Sequence, residues 1–330
     1  MTNDERPLVG LNEIYAAQDV IRPHLHRTPL AGSSYLGKRI GATLFFKLEM
    51  FQKTGSFKPR GALNNMHNLS EEKKRLGVIS LSSGNHAQAL AYAAAMSGIQ
   101  ATIVMPANAV TSKVEATRGY GGEVILTTED LMETTLDIQR QRNLTLVHPF
   151  DNLDTIAGTG TLGLELIDDA PYADVVVVGI GGGGLISGVA AAIKQNNANV
   201  RVIGVEPEGA PGMTRSLASG VPEHLDTLDT IADGLAAPFV GQHNLDHVQA
   251  FVDDVVLVTD AQIAEAMGLI LERGKVLAEA AAASTYAALL SGKVSLSGDE
   301  TVICVLSGGN VDTARLVEIL GWINPATPCR

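Results

Sequence analysis

A lysine in the segment Gly55-Ser56-Phe57-Lys58-Pro59-Arg60-Gly61-Ala62 stands where a chain could use an amine for chemistry. Pro59 holds φ near the helical value and has no backbone N–H, so it suits the first position of a helix. Ala62, Leu63, Met66 and Leu69 then recur at helical spacing, which predicts a helix over 60–69 with one buried face. Lys58 therefore sits just ahead of a helix N-terminus, whose dipole disfavours another positive charge. An amine kept neutral in such a place can attack an aldehyde carbon. Most lysines are solvated surface groups, so this reading depends on what else the chain brings to Lys58.

Three loops of small polar residues follow predicted strands: Ser82-Ser83-Gly84-Asn85-His86, Gly179-Ile180-Gly181-Gly182-Gly183-Gly184, and Ser307-Gly308-Gly309-Asn310. In a parallel sheet such loops gather at the carboxyl ends of strands, beside helix N-termini with free N–H groups. Gly181, Gly182, Gly183 and Gly184 let the backbone approach an anion with no Cβ in the way, which reads as a phosphate site. Taken singly, Ser82 reads as a plain helix cap and His86 as an ordinary histidine. Gly179, Gly181 and Gly184 also satisfy the G-x-G-x-x-G spacing of a dinucleotide fold, with Glu206 as the ribose-binding acid. That NAD-dependent dehydrogenase reading leaves Lys58 and both serine-containing loops without a role.

The elements that must position these loops alternate regularly. Apolar runs beginning at Val78, Ala101, Glu123 and Leu144 are separated by helical patterns over 85–97, 109–118 and 130–142. Such alternation with short connections implies parallel, right-handed βαβ units. The span 73–149 is too short to hold the whole core, so it reads as a small domain inserted between 1–72 and 150–330, which together form a larger one. Beyond it the pattern resumes with a strand at 174–178, a helix at 185–195 and a strand at 201–206. Residues 210–247 are rich in Pro, Gly and Asp and read mostly as loop. Strands at 255–258 and 301–306 flank an Ala-rich helical stretch over 261–291, broken near Gly274. The fold class is α/β, with parallel sheets flanked by helices and ligand sites at the shared interface.

Composition narrows the classes further. A chain of 330 residues with 45% hydrophobic but only 4% aromatic residues fits Val- and Ala-rich strands buried on both faces. A formal net charge of −12 argues against a nucleic-acid surface, since phosphates are repelled. The uncharged stretch 175–193 is long enough to span a membrane, but its central glycines divide it into strand, turn and helix. No apolar leader is read at the N-terminus, and no disulfide framework is expected from Cys304 and Cys329. A cytoplasmic enzyme is expected, with no membrane and no nucleic-acid partner.

The strings FFKLEMFQKTGSFKPRGALN (45–64) and SSGNHAQALAYAA (82–94), followed in order by GGGGL and SGGN, resemble the fold-type II pyridoxal-phosphate enzymes. More narrowly, residues 14–310 are similar to the serine/threonine dehydratase and serine racemase branch. The resemblance implies the two-domain fold of the tryptophan synthase β type and pyridoxal 5'-phosphate as cofactor. It implies that Lys58 holds the cofactor covalently and, once displaced by substrate, acts as the base at Cα. Gly181, Gly182, Gly183, Gly184 and Leu185 would bind the phosphate, Ser307 the pyridine nitrogen and Asn85 the ring hydroxyl. Ser82, Gly84, Asn85 and His86 would cradle the substrate carboxylate. The implied reaction is β-elimination of water from L-threonine or L-serine, giving a 2-oxo acid and ammonia, in a homodimer or homotetramer.

Racemisation is the alternative within this branch, and 3-hydroxyaspartate dehydration a further one. Ser83 occupies the position where the racemases carry a proton donor on the face opposite the lysine, whereas many dehydratases have alanine there. Phe150, after His148-Pro149, matches threonine dehydratases instead. The resemblance also implies a divalent-cation (Mg or Mn) site at Glu206 and the Ala210 carbonyl, but the further carboxylate falls on Gly212. A hard cation prefers several anionic oxygens, so this donor set falls short of a tight site. The tail, 311–330, has room for one helix, so feedback control through a C-terminal effector domain is not expected.

Overall fold

The computed structural model describes residues 6–321. Two sheets organise it. The larger contains β1 (Leu30–Gly32), β2 (Thr43–Leu48), β7 (Val175–Gly179), β8 (Arg201–Pro207), β9 (Asp254–Val258) and β10 (Thr301–Leu306), in the order β1-β2-β10-β7-β8-β9. Only β1 runs antiparallel to its neighbour; the other pairings are parallel. The smaller contains β3 (Val78–Leu81), β4 (Ala101–Pro106), β5 (Glu123–Thr127) and β6 (Thr145–Leu146), all parallel, in the order β5-β4-β3-β6. This is the α/β architecture read from the alternating pattern.

The central strands are near-continuous apolar runs because helices cover both faces. Side-chain alternation divides each run between two cores. Val175, Val177, Val302, Cys304 and Leu306 join the core beneath the Ala280–Leu290 helix. Val176, Val178, Ile303 and Val305 join the one beneath the Gly184–Asn196 helix. The uncharged stretch 175–193 is thus one strand, a glycine turn and part of one helix. Among the described residues no helix is long and apolar enough to cross a membrane. Cys304 is buried and unpaired; Cys329 lies outside the described residues.

The helix that begins at Lys58 (Lys58–Asn68) connects the two halves. Ala62, Leu63 and Met66 enter the core of the smaller sheet with Leu90 and Ile103. Its other face meets the Leu153–Asp169 helix through glycines. A Cβ on Gly158 would strike the Arg60 carbonyl, and one on Gly61 would come within 2.7 Å of the Thr155 side chain. The backbones approach closely here because neither glycine has a side chain.

Residues 210–247, read mostly as loop, are largely loop but also contain the Gly212–Ser219 helix and most of the Gln242–Phe251 helix. Both are capped from a distance. Glu206 accepts from the N–H groups of Met213 and Thr214, at 2.7 and 2.9 Å. Asp151 accepts from those of Gln242 and His243, at 3.2 and 3.0 Å. Local sequence shows only a Pro–Gly start in one case and a glycine cap in the other, whereas the stabilising carboxylates arrive from another strand or loop. The Ala-rich stretch, by contrast, is interrupted where expected. The Asp260–Leu269 helix ends in a π-helical turn, Ile270–Gly274, before the Ala280–Leu290 helix begins.

Candidate active site

Lys58 opens its helix, with Pro59 in the first turn and Phe57 in the right-handed conformation ahead of it. Just upstream the chain turns sharply, with Thr54 at φ 62° and Gly55 at φ 72°. A positive φ is costly for a β-branched residue, and contacts with the 307–310 loop hold this one in place. Ser56 bridges Gly308, the Phe57 N–H donates to the Ser307 carbonyl at 3.0 Å, and the Gly309 N–H donates to the Gly55 carbonyl at 3.0 Å. The lysine and the Ser307 loop are therefore fixed to one another through the main chain.

The Lys58 amine donates to the Pro149 carbonyl at 3.2 Å. Its pKa is lowered to about 8, first by burial, against the opposing attraction of the Glu279 carboxylate. Desolvation is thus the leading reason that a neutral amine is accessible here; the helix start mainly supplies position. His86 and His148 are also held neutral, in each case chiefly by burial, with the Lys58 charge acting in the same direction.

Lys58, Ser82, Ser83, Gly84, Asn85, His86, Gly181, Gly182, Gly183, Gly184, Leu185 and Ser307 all line one cavity of about 610 Å³ between the sheets. Phe57, Pro149, Phe150, Leu235, Ala236 and Pro238 supply apolar wall. Chain order disperses these residues over 250 positions; the carboxyl ends of β3, β7 and β10 gather them.

Each loop is prepared locally. Gly183 takes φ 99° as the residue before the Gly184–Asn196 helix and provides no side-chain cap. The first N–H groups of that helix lack intrahelical partners and carry its positive dipole end. A Cβ at Gly182 would fall on the Phe150 ring, and one at Gly183 within 2.7 Å of the Asn244 Cβ. The Asn244 amide holds the turn by donating to the Gly182 carbonyl at 2.7 Å. Gly84 similarly precedes the Asn85–Met96 helix without capping it, which leaves those N–H groups available to a carboxylate.

The residues fit pyridoxal phosphate. An amine that can be neutral, a backbone cradle for a phosphate and a small neutral hydroxyl on Ser307 share one cavity. They do not fit a divalent cation at Glu206 and Ala210. Both Glu206 oxygens are already engaged by Met213, Thr214 and the Thr214 hydroxyl (2.7 Å), and Gly212 brings no carboxylate. Burial raises the Glu206 pKa to about 7. Glu206 serves as a remote helix cap.

Four residues of the site escaped the sequence reading. The Ser80 hydroxyl donates to the Val147 carbonyl at 2.7 Å, so its contact with His86 Nε2 at 3.1 Å requires the Nε2–H tautomer. Glu279 is a partly buried carboxylic acid on the cavity wall, and desolvation raises its pKa to about 7. Asn310 was noted only as part of its loop, yet it binds both Thr54 and Asn85. Arg60, in the lysine motif itself, is 1% exposed and pairs with Glu49 and Glu165. An acid just before an Ala-rich helix looks like an ordinary cap, and only the fold places Glu279 beside Lys58.

A fold of two linked sheets, parallel but for β1, with this cavity between them defines a pyridoxal-phosphate enzyme of the α/β type. The chain belongs to the pyridoxal-phosphate dependent enzyme family, whose model matches residues 21–308. It is 44% identical over 316 residues to an L-threonine ammonia-lyase of Thermotoga maritima, covering 95% of this chain and 78% of that protein. It is 42% identical over 321 residues to the catabolic L-threonine dehydratase TdcB of Staphylococcus aureus, covering 95% and 92%. Maize serine racemase superposes with a TM-score of 0.90 at 41% identity, covering 94% of this chain and 97% of that one.

Proposed function

We propose that this protein is a pyridoxal-phosphate-dependent L-threonine/L-serine ammonia-lyase that converts a hydroxy-amino acid to a 2-oxo acid and ammonia. The observation that carries the reading is the single cavity shared by Lys58, the glycine loop, Ser307 and the 82–86 loop. Its relatives of known name include an L-threonine ammonia-lyase and an L-threonine dehydratase. When bound, pyridoxal phosphate supplies an electron sink that acidifies the substrate Cα–H.

The chain's own groups do the rest. The open start of the Gly184–Asn196 helix would hold the phosphate dianion, and Ser307 would offer the ring nitrogen a neutral partner. Ser82, Gly84, Asn85 and His86 hold the substrate carboxylate at the open start of the Asn85–Met96 helix. Lys58, neutral in a useful fraction near pH 8, removes the Cα proton. Phe150, Pro149 and Leu235 exclude water and offer apolar contact to a substrate methyl group, which favours threonine.

Ser83 lines the same cavity and is the group that would return a proton on the other face. Racemisation is therefore a secondary activity of the proposal, supported by the likeness to maize serine racemase. The division into a small domain over 73–149 and a large one is supported by a four-stranded sheet confined to 78–146. We further assign the enzyme to the cytoplasm as a homodimer or homotetramer, which sedimentation would test.

The decisive assay incubates the yellow holoenzyme with L-threonine, L-serine or 3-hydroxyaspartate and measures oxo acid, ammonia and D-amino acid together. Oxo acid from threonine, absent with Lys58→Ala, is the expected result. D-serine without oxo acid would assign the racemase reading instead. Colourless protein that binds NAD would overturn both.

A further inference from the structure

Glu279 immediately precedes the Ala280–Leu290 helix, where an acidic side chain ordinarily turns back to accept from the first-turn N–H groups. It makes no such cap. Its Oε1 instead accepts from the Asn85 side-chain amide across the cavity at 2.8 Å. The carboxylate is partly buried, and its main chain is fixed to the Ser307 loop, since the Glu279 N–H donates to the Gly308 carbonyl at 3.1 Å.

The contact is the end of a directed chain. Asn310 Nδ2 donates to the Thr54 carbonyl at 2.7 Å and to Asn85 Oδ1 at 2.8 Å. A carbonyl only accepts, so the Asn310 atom is the nitrogen; the Asn85 atom facing it is then the oxygen. That leaves the Asn85 nitrogen facing Glu279, which must accept. One orientation satisfies every group. Thr54 precedes Lys58, Asn310 follows Ser307, Asn85 starts the helix after β3, and Glu279 starts the helix that covers the larger sheet. Among the described residues, Asn85 makes two of the side-chain hydrogen bonds that join cavity loops of the smaller sheet to those of the larger, beside the one from the Lys58 amine to the Pro149 carbonyl.

We infer that Glu279 is a positioning residue: as acceptor for Asn85 it latches the helix start that receives the substrate carboxylate to the loop that carries Ser307. The inference rests on the ammonia-lyase reading for its kinetic consequence, but the latch itself is a property of the holoenzyme without substrate. Glu279→Gln keeps a carbonyl acceptor at the same reach, whereas Glu279→Ala and Glu279→Leu remove it.

The test combines hydrogen exchange of substrate-free holoenzyme with steady-state kinetics on L-threonine. In Glu279→Ala, amide exchange over 82–96 rises roughly tenfold, the effect of losing one hydrogen bond to a charged group. KM for L-threonine rises by a similar factor, with a smaller change in kcat. Glu279→Gln restores both to within about threefold. Adding Glu279→Ala to Asn85→Ala gives little further exchange, because Asn85→Ala already removes the bond to Glu279 along with the one to Asn310. Unchanged exchange over 82–96 in a folded Glu279→Ala protein overturns the latch. So does a Gln variant as impaired as Ala, which would make the carboxylate a counter-charge for Lys58. An enzyme inactive on every hydroxy-amino acid, but with the expected exchange pattern, would sink the lyase reading and leave the latch standing.

Discussion

Arg60 and Glu49 face one another through two parallel hydrogen bonds, Nε to Oε2 and Nη2 to Oε1, each 2.8 Å long. The pair is 1% and 0% exposed, and the other edge of the guanidinium meets Glu165 at 2.7 and 3.1 Å. Lys47, itself buried, joins Glu165 at 2.7 Å. These charges tie β2 and the Leu153–Asp169 helix to a point two residues beyond Lys58. Removing one partner from such a group strands a buried charge.

Arg60→Ala is therefore expected to destabilise the fold by about 3–5 kcal/mol, because Glu49 is left without a cation. Arg60→Lys rescues only part of this loss, since an ammonium cannot make the bidentate contact. Denaturant unfolding of the two variants beside the parent protein measures the difference. Equal stability of all three would mean that the cluster is not holding the lysine helix.

In the proposed reading, the Lys58 amine governs cofactor capture by the apoprotein. Its pKa is lowered to about 8, so the neutral, nucleophilic fraction grows as pH rises through 8 and then saturates. The rate of covalent attachment of pyridoxal phosphate should rise from pH 6.5 and level off above about 8.5. An ordinary lysine would keep gaining tenfold per pH unit to about pH 10. Stopped-flow absorbance across this range distinguishes the two profiles.

The proposed phosphate cradle has no space for a methyl group at Gly182, since a Cβ there falls on the Phe150 ring. Gly182→Ala is expected to weaken cofactor affinity by at least about tenfold, through a displaced Phe150 and turn. Gly292→Ala is a control glycine variant, because that position has open space and a φ of 70°, so it bears backbone strain alone. Titration of apoprotein with pyridoxal phosphate, followed by absorbance, gives both constants.

Glu206 acts as a helix cap, and both its oxygens accept from Met213 or Thr214. Chelator, Mg²⁺ or Mn²⁺ should leave the thermal midpoint of the holoenzyme where it is. Glu206→Ala should lower stability by about 1–2 kcal/mol through loss of the cap of the Gly212–Ser219 helix. A clear upward shift of the midpoint with either metal would show that the carboxylate has a cation partner after all.

Much of the candidate site was legible in the order of residues. Lys58 before a proline and the glycines at a strand end follow local rules, since each motif satisfies its own turn or helix start. Strands 78–81, 101–106, 175–179 and 301–306 were readable for the same reason, as apolar runs bounded by turn residues. The Gly212–Ser219 and Gln242–Phe251 helices were not, because the carboxylates that cap them belong to Glu206 and Asp151.

By itself, the sequence determined which chemistry is available: an amine, an anion-binding glycine turn and hydroxyls, each at the end of a strand or the start of a helix. Tertiary structure alone decided how these groups are held. Burial, more than the helix start, brings the Lys58 pKa to about 8. Glu279 becomes part of the site only because packing turns its side chain from its own helix toward Asn85. Local motifs follow from covalent geometry and propensity, which act over a few residues. Desolvation and hydrogen bonds between distant segments exist only once the two sheets have closed on one another.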